Sequence, residues 1–288
     1  MAAVRVPPYS WPAPPPEESR RRWWLIGVVG AWIVVVTVLA LWSGRRDPAT
    51  VPEQRDIADA LPVLQQATGA VLAAATTGDD RAVVLGDLRL SRECDLTPVR
   101  AGIEATRDVT LYVQADRALA VLKEIAAALP AGYRAEAGAS SGGRRVGLQA
   151  DAGGFVAIDA AADAGAQVVQ VTASTGCRPR SERVQADPAG SRATQLPASL
   201  RAALAALGGS GAARFSEVGC PDGGVGRTYT VEGVPAPRDL GRSLRDLVAG
   251  GTVVRAEPDG WAYRSGADSV VVVRVDATLR VSATTPCA

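Results

Sequence analysis

From Trp23 to Trp42 the chain reads WWLIGVVGAWIVVVTVLALW, 20 residues without a charge or a proline. As an α-helix rising about 1.5 Å per residue, this run is roughly 30 Å long, the thickness of a bilayer's hydrocarbon core. Trp23 and Trp24 mark one end and Trp42 the other, where indole rings favour the membrane interface. Core helices of soluble folds rarely run so far without a charged position. A cleaved signal peptide is the rival reading, with Arg20, Arg21 and Arg22 as its basic region. Against it, the apolar run exceeds the roughly 7–15 residues of such signals, and the exit Ala40-Leu41-Trp42-Ser43 places a tryptophan where a small residue is needed. The sequence therefore predicts an uncleaved transmembrane helix over 23–42.

Arg5, Arg20, Arg21 and Arg22 precede the span, and Arg45, Arg46 and Arg55 follow it, a slight bias toward a cytoplasmic N-terminus. Residues 1–22 form a tail with six prolines, which favour extended polyproline II and build no core; Pro12 and Pro15 make a bare PxxP. Gly27 and Ala31 are spaced to let two such helices touch, the basis for a weak homodimer.

All four cysteines lie beyond the span, at 94, 177, 220 and 287. None belongs to a CxxC, and the chain has no histidine, so zinc sites, thioredoxin chemistry and His-based triads are excluded. An even number of separated cysteines beyond a membrane span reads as two disulfides in an oxidising compartment. An internal repeat selects the pairing. Thr172-Ala-Ser-Thr-Gly-Cys177 resembles Ser282-Ala-Thr-Thr-Pro-Cys287, and each follows an apolar run. Leu-Pro pairs at 61–62 and 196–197 open helical stretches, Cys94 and Cys220 follow, and second amphipathic helices begin near Ala115 and Pro237. Pairing within copies gives Cys94–Cys177 and Cys220–Cys287.

The helical faces are read from spacing. Leu119, Leu122, Ile125, Ala126 and Leu129 form one stripe; Leu200, Ala203, Leu204 and Leu207 another; Leu240, Leu244, Leu247 and Val248 a third. Val270–Val273 reads as a strand covered on both faces, whereas Leu279, Val281 and Ala283 alternate as in a strand with one wet face. The expected fold class is α+β: a single N-terminal transmembrane helix followed by two tandem related modules, each an antiparallel sheet with two helices on one face and one disulfide. The expected boundaries are tail 1–22, span 23–42, stalk 43–56, module 57–177, linker 178–195 and module 196–288. Ala139–Arg145 (ASSGGRR) is expected to be an inserted flexible loop.

Chemistry is harder to find. Gly223-Gly-Val-Gly226-Arg-Thr228 lacks the lysine of a phosphate loop and leads into a strand, so it reads as a turn. Asp79 with Asp80, and Glu257 with Asp259, are carboxylate pairs of the kind a glycosidase uses, but they stand in loop-like stretches beside Gly or Pro. Residues 43–288 carry 27 basic and 28 acidic side chains, which gives no field for nucleic acid. Only one of the 31 basic residues is lysine, as expected from a GC-rich, bacterial genome. The resulting expectation is a non-enzymatic cell-envelope protein without cofactor or metal, held in the lipid bilayer by its helix. Its duplicated extracytoplasmic region would bind a protein partner or support an assembly, with Ala139–Arg145 and the linker as first contacts. The alternative is an exported hydrolase using a carboxylate pair or a serine.

Overall fold

The computed structural model describes residues 18–44, 55–98, 100–181, 184 and 191–287. The proline-rich tail up to residue 17, stalk residues 45–54 and linker residues 182–183 and 185–190 lie outside the described residues. The chain divides into two units, 1–49 and 50–288.

The first unit contains α1 (Glu18–Gly44). From Trp23 to Leu41 its side chains are exposed on every side, with Trp23 at 77% and Trp24 at 69%. The polar group within this span is satisfied locally, because the Thr37 hydroxyl donates to the Ile33 carbonyl at 2.7 Å. An apolar helix of this length, exposed from Trp23 to Leu41, is a candidate membrane span. A second helix, Ile57–Thr76, is also long and apolar enough, but it is largely buried in the larger unit.

That larger unit opens with α2 (Ile57–Thr76), β1 (Arg81–Leu85) and β2 (Arg89–Ser91). A small hairpin, β3 (Asp95–Thr97) and β4 (Arg100–Ala101), leads to β5 (Ile103–Val113) and α3 (Ala118–Ala128). Four strands follow: β6 (Glu136–Ser140), β7 (Arg145–Asp151), β8 (Ala157–Asp163) and β9 (Val168–Arg178). The rest comprises β10 (Ser191–Arg192), α4 (Ala198–Ala206), β11 (Arg214–Gly219), β12 (Val225–Pro235) and α5 (Leu240–Val248). It closes with β13 (Thr252–Glu257), β14 (Gly260–Ser265), β15 (Asp268–Val275) and β16 (Thr278–Thr285).

Two antiparallel sheets result. The first runs β1-β5-β9-β8-β7-β6, with β2 also on β5; the second runs β10-β11-β12-β16-β15-β14-β13. Apart from β2–β4 and β10, each sheet is built from helix, two strands, helix and four strands, laid in the same spatial order. The alternation of apolar residues sends Val109, Leu111, Val113, Val169 and Val171 to one face of the first sheet, under α2 and α3. Val231, Val270, Val272, Leu279 and Val281 do the same beneath α4 and α5. Four consecutive valines in β15 are explained by cover on both sides: Val270 and Val272 face the helices, and Val271 meets Ala82 of β1.

The helix starts show what proline spacing alone misses. Pro197 stands immediately before α4, as expected, but Pro62 lies inside α2. That helix begins earlier because the Asp56 carboxylate accepts the Asp59 N–H at 3.1 Å and so caps it. The segment Ala139–Arg145 also departs from expectation. It is the end of the β6–β7 hairpin, turning through positive φ at Ser141, Gly142 and Gly143, because Ser140 pairs with Arg145 across the ladder.

The two halves are not independent in space. Gly69 of α2 lies against the Gly219 carbonyl at the end of β11, Leu72 lies against Gly226 of β12, and Val218 belongs to the core under α2. Disulfides join Cys94 to Cys177 and Cys220 to Cys287, with Cα atoms 5.8 and 5.9 Å apart. Beside the first, Arg178 is fully buried. Its Nε donates to the Thr175 carbonyl at 2.6 Å, and its Nη2 donates to the carbonyls of Gly154 at 3.0 Å and Phe155 at 2.8 Å. Phe155 sits at φ 61°, a conformation that a side chain other than glycine's adopts only when held. Arg178→Met would leave the buried Thr175 carbonyl and the partly buried carbonyls of Gly154 and Phe155 without their donor and is expected to cost about 2 kcal/mol. A shifted denaturant midpoint would check this; an unchanged midpoint would refute the clamp.

Burial beneath the second sheet's helices pushes the Tyr263 hydroxyl up to about 12. The folded state holds the proton more tightly than the unfolded chain, so this stability is complete below about pH 10 and is lost as pH rises toward 12. About 2 kcal/mol is at stake. Thermal melts between pH 9 and 12 should show the loss, and Tyr263→Phe should remove that component.

Candidate functional site

At the end of β1, the first-sheet strand that packs on the second sheet, a cleft of about 440 Å³ opens. One wall is the end of β1 and the residues after it, Val84 to Asp87; Ala212 stands opposite. The floor is the outward face of β11, β12 and β16, where alternation places Ser216, Thr228, Thr230 and Ser282 in register. Arg214, Glu232 and Arg280 complete the lining.

The cleft is internally bonded. The Leu85 N–H donates to Thr228 Oγ1 at 2.9 Å, and Thr228 shares a 2.7 Å hydrogen bond with Thr284. Thr230 and Ser282 share one at 3.0 Å. Ser216 donates to the Asp87 carboxylate, linking a residue of each half across the cleft. Arg280 Nε donates to Glu232 at 2.9 Å, an exposed pair worth little in stability. Glu232 stands at a register shift in β12 beside Gly233, whose φ is 72°.

The carboxylate pairs read from sequence lie elsewhere, and one member of each is engaged by an arginine. Asp80 pairs with Arg117 at 3.0 Å, and Asp259 with Arg255 at 2.8 Å. Gly223 supplies a turn at φ 90° just before β12. The segment Ala139–Arg145 ends a hairpin at the β6 edge, and none of its residues lines the cleft. Trp23 and Trp24 are exposed on α1; Arg20, Arg21, Arg22 and Trp42 belong to that helix, but their side chains lie outside the described residues. Cys94, Cys177, Cys220 and Cys287 staple the larger unit and leave no free thiol. Among the described residues no group of three or more Cys, Asp and Glu side chains is placed to hold a metal ion.

Sequence reading did not single out the cleft residues. The available signal was the polar alternation Thr228-Thr230-Glu232 and Arg280-Ser282-Thr284; only the strand carrying the second was read as having one wet face. The structure covers much of that face with β1 and leaves a cleft at its end.

Burial raises the hydroxyl of Tyr112, on β5, although Arg255 and Arg280 oppose the shift. In the second sheet, on β14, Arg264 is pulled below the usual arginine range, first by burial and then by Arg81, with Asp79 and Asp268 opposing. No protein-family model matches the chain, and no curated protein or solved structure matches it.

Proposed function

We propose that this is a single-pass cell-membrane protein with a cytoplasmic N-terminus, whose extracytoplasmic region, residues 43–288, acts by binding another envelope component without turnover. The apolar helix α1 supports the anchor, and two disulfides support an oxidising location for the larger unit. The two halves are read as duplicated modules, supported by their shared strand order and equivalent disulfides. The observation that carries the binding reading is the cleft between the halves, since ligand and partner sites favour such junctions.

Topology is tested first. A reporter fused after Ala288 should be active only outside the cytoplasm; activity inside would overturn the placement. The cleft is tested in cells with a photo-crosslinking residue at Ala212, which should capture one discrete component that a probe at Arg134 does not. A hydrolase is the second reading, because Asp87 and Glu232 line the same cleft. On the binding reading, Asp87→Asn with Glu232→Gln should lower cellular function only in step with capture at Ala212. Complete loss in a folded variant with capture unchanged would favour the hydrolase.

A further inference from the structure

From the chemistry of the cleft we infer its ligand class: an uncharged, polyhydroxylated molecule, a short neutral saccharide segment. This rests on the reading of the cleft as the binding site. The lining includes two arginines, one aspartate and one glutamate, so its formal charge is zero. Glu232 is already paired with Arg280, and Asp87 accepts from Ser216. A site for an anion or cation would present charge of one sign, and this one does not.

What the cleft does present is hydroxyls. Ser216, Thr230 and Ser282 line it; Ser216 spends its proton on Asp87 and one of Thr230 and Ser282 spends its proton on the other, which leaves one hydroxyl donor and several acceptor lone pairs to meet the hydroxyls of a sugar. Val84, Leu85 and Ala212 supply the apolar surface against which the C–H face of a sugar ring can lie. The volume, about 440 Å³, falls within the roughly 300–1,000 Å³ of small-ligand sites.

The main competitor is an extended peptide adding to the free edge of β1, which would need backbone groups there to be open. Two of them at the cleft are engaged: the Leu85 N–H is spent on Thr228, and the Gly86 carbonyl, just past β1, accepts from Arg107 Nε at 3.0 Å. At the cleft the chain therefore does not present a continuous ladder, which favours a ligand read by side-chain hydroxyls.

The test uses the full chain in detergent micelles, titrated with neutral di- to tetrasaccharides of gluco, manno and galacto configuration and, separately, with inorganic phosphate. Saturable saccharide binding, observed by ligand NMR or calorimetry, is expected. Thr230→Val and Ser282→Ala should weaken it at least tenfold, and Arg134→Ala should leave it unchanged. Because Ser282 is buried, its variant needs a fold check; should it not fold, the exposed pair Glu232→Gln with Arg280→Gln reads the same site and should weaken binding at least threefold. Absence of saturable saccharide binding overturns the ligand class, as does phosphate binding that the same variants abolish. If saccharides fail while the Ala212 probe still captures a discrete protein, the cleft remains the site and only the ligand class falls. If both fail, the cleft itself is the wrong site.

Discussion

Gly69→Ala will destabilise the larger unit, and Gly69→Val will do so by about 3 kcal/mol. Helix propensity alone predicts the opposite sign for alanine, a gain of about 1 kcal/mol in a helix interior. Packing decides otherwise, because a Cβ on Gly69 would collide with the Gly219 carbonyl. That oxygen belongs to the strand end of β11 and cannot swing away as a side chain would. Denaturant midpoints of the two variants settle the sign. A stabilised Gly69→Ala would mean that α2 does not rest on the second sheet, and the mutual dependence of the halves would fall with it.

Removing either disulfide is the other large effect. Cys94 and Cys177 are 83 residues apart, and Cys220 and Cys287 are 67 apart. Closing loops of this size is worth about 4 kcal/mol each in the chain-entropy model. Cys220→Ser with Cys287→Ser should also loosen β16, which lies between β12 and β15 in the second sheet. Equilibrium unfolding under oxidising conditions measures both losses, and peptide mapping without reduction identifies the pairs. A Cys94–Cys220 link would overturn the pairing and the duplication together.

Local pattern carried much of the fold. The stripe Leu200, Ala203, Leu204 and Leu207 is buried where spacing placed it, and Gly208, at φ 63°, follows α4 as its stop. Val270–Val273 was legible as a strand with two dry faces, though nothing local says what covers the second one. The covering residue, Ala82, is distant in the chain and has no side-chain pattern of its own. Pro62 misled about the start of α2 because the helix starts at the Asp56 cap and continues through Pro62, which gives up one backbone hydrogen bond inside it. The cleft was the least legible feature. Its floor comes from three strands and its wall from the other half, so no contiguous motif contains it.

The consecutive cysteine pairing bears on how the chain is made. Synthesis delivers residues from the N-terminus, and Cys94 and Cys177 are both present before Cys220 emerges. An oxidase joining cysteines in order of appearance therefore makes the native bonds without later shuffling. Packing does not share that order. The Gly69–Leu72 face of α2 and Ala82 of β1 wait for strands that lie between residues 214 and 275. The nascent first half is thus covalently finished while still incompletely covered, and during that interval its exposed apolar surface is open to chaperones or to aggregation.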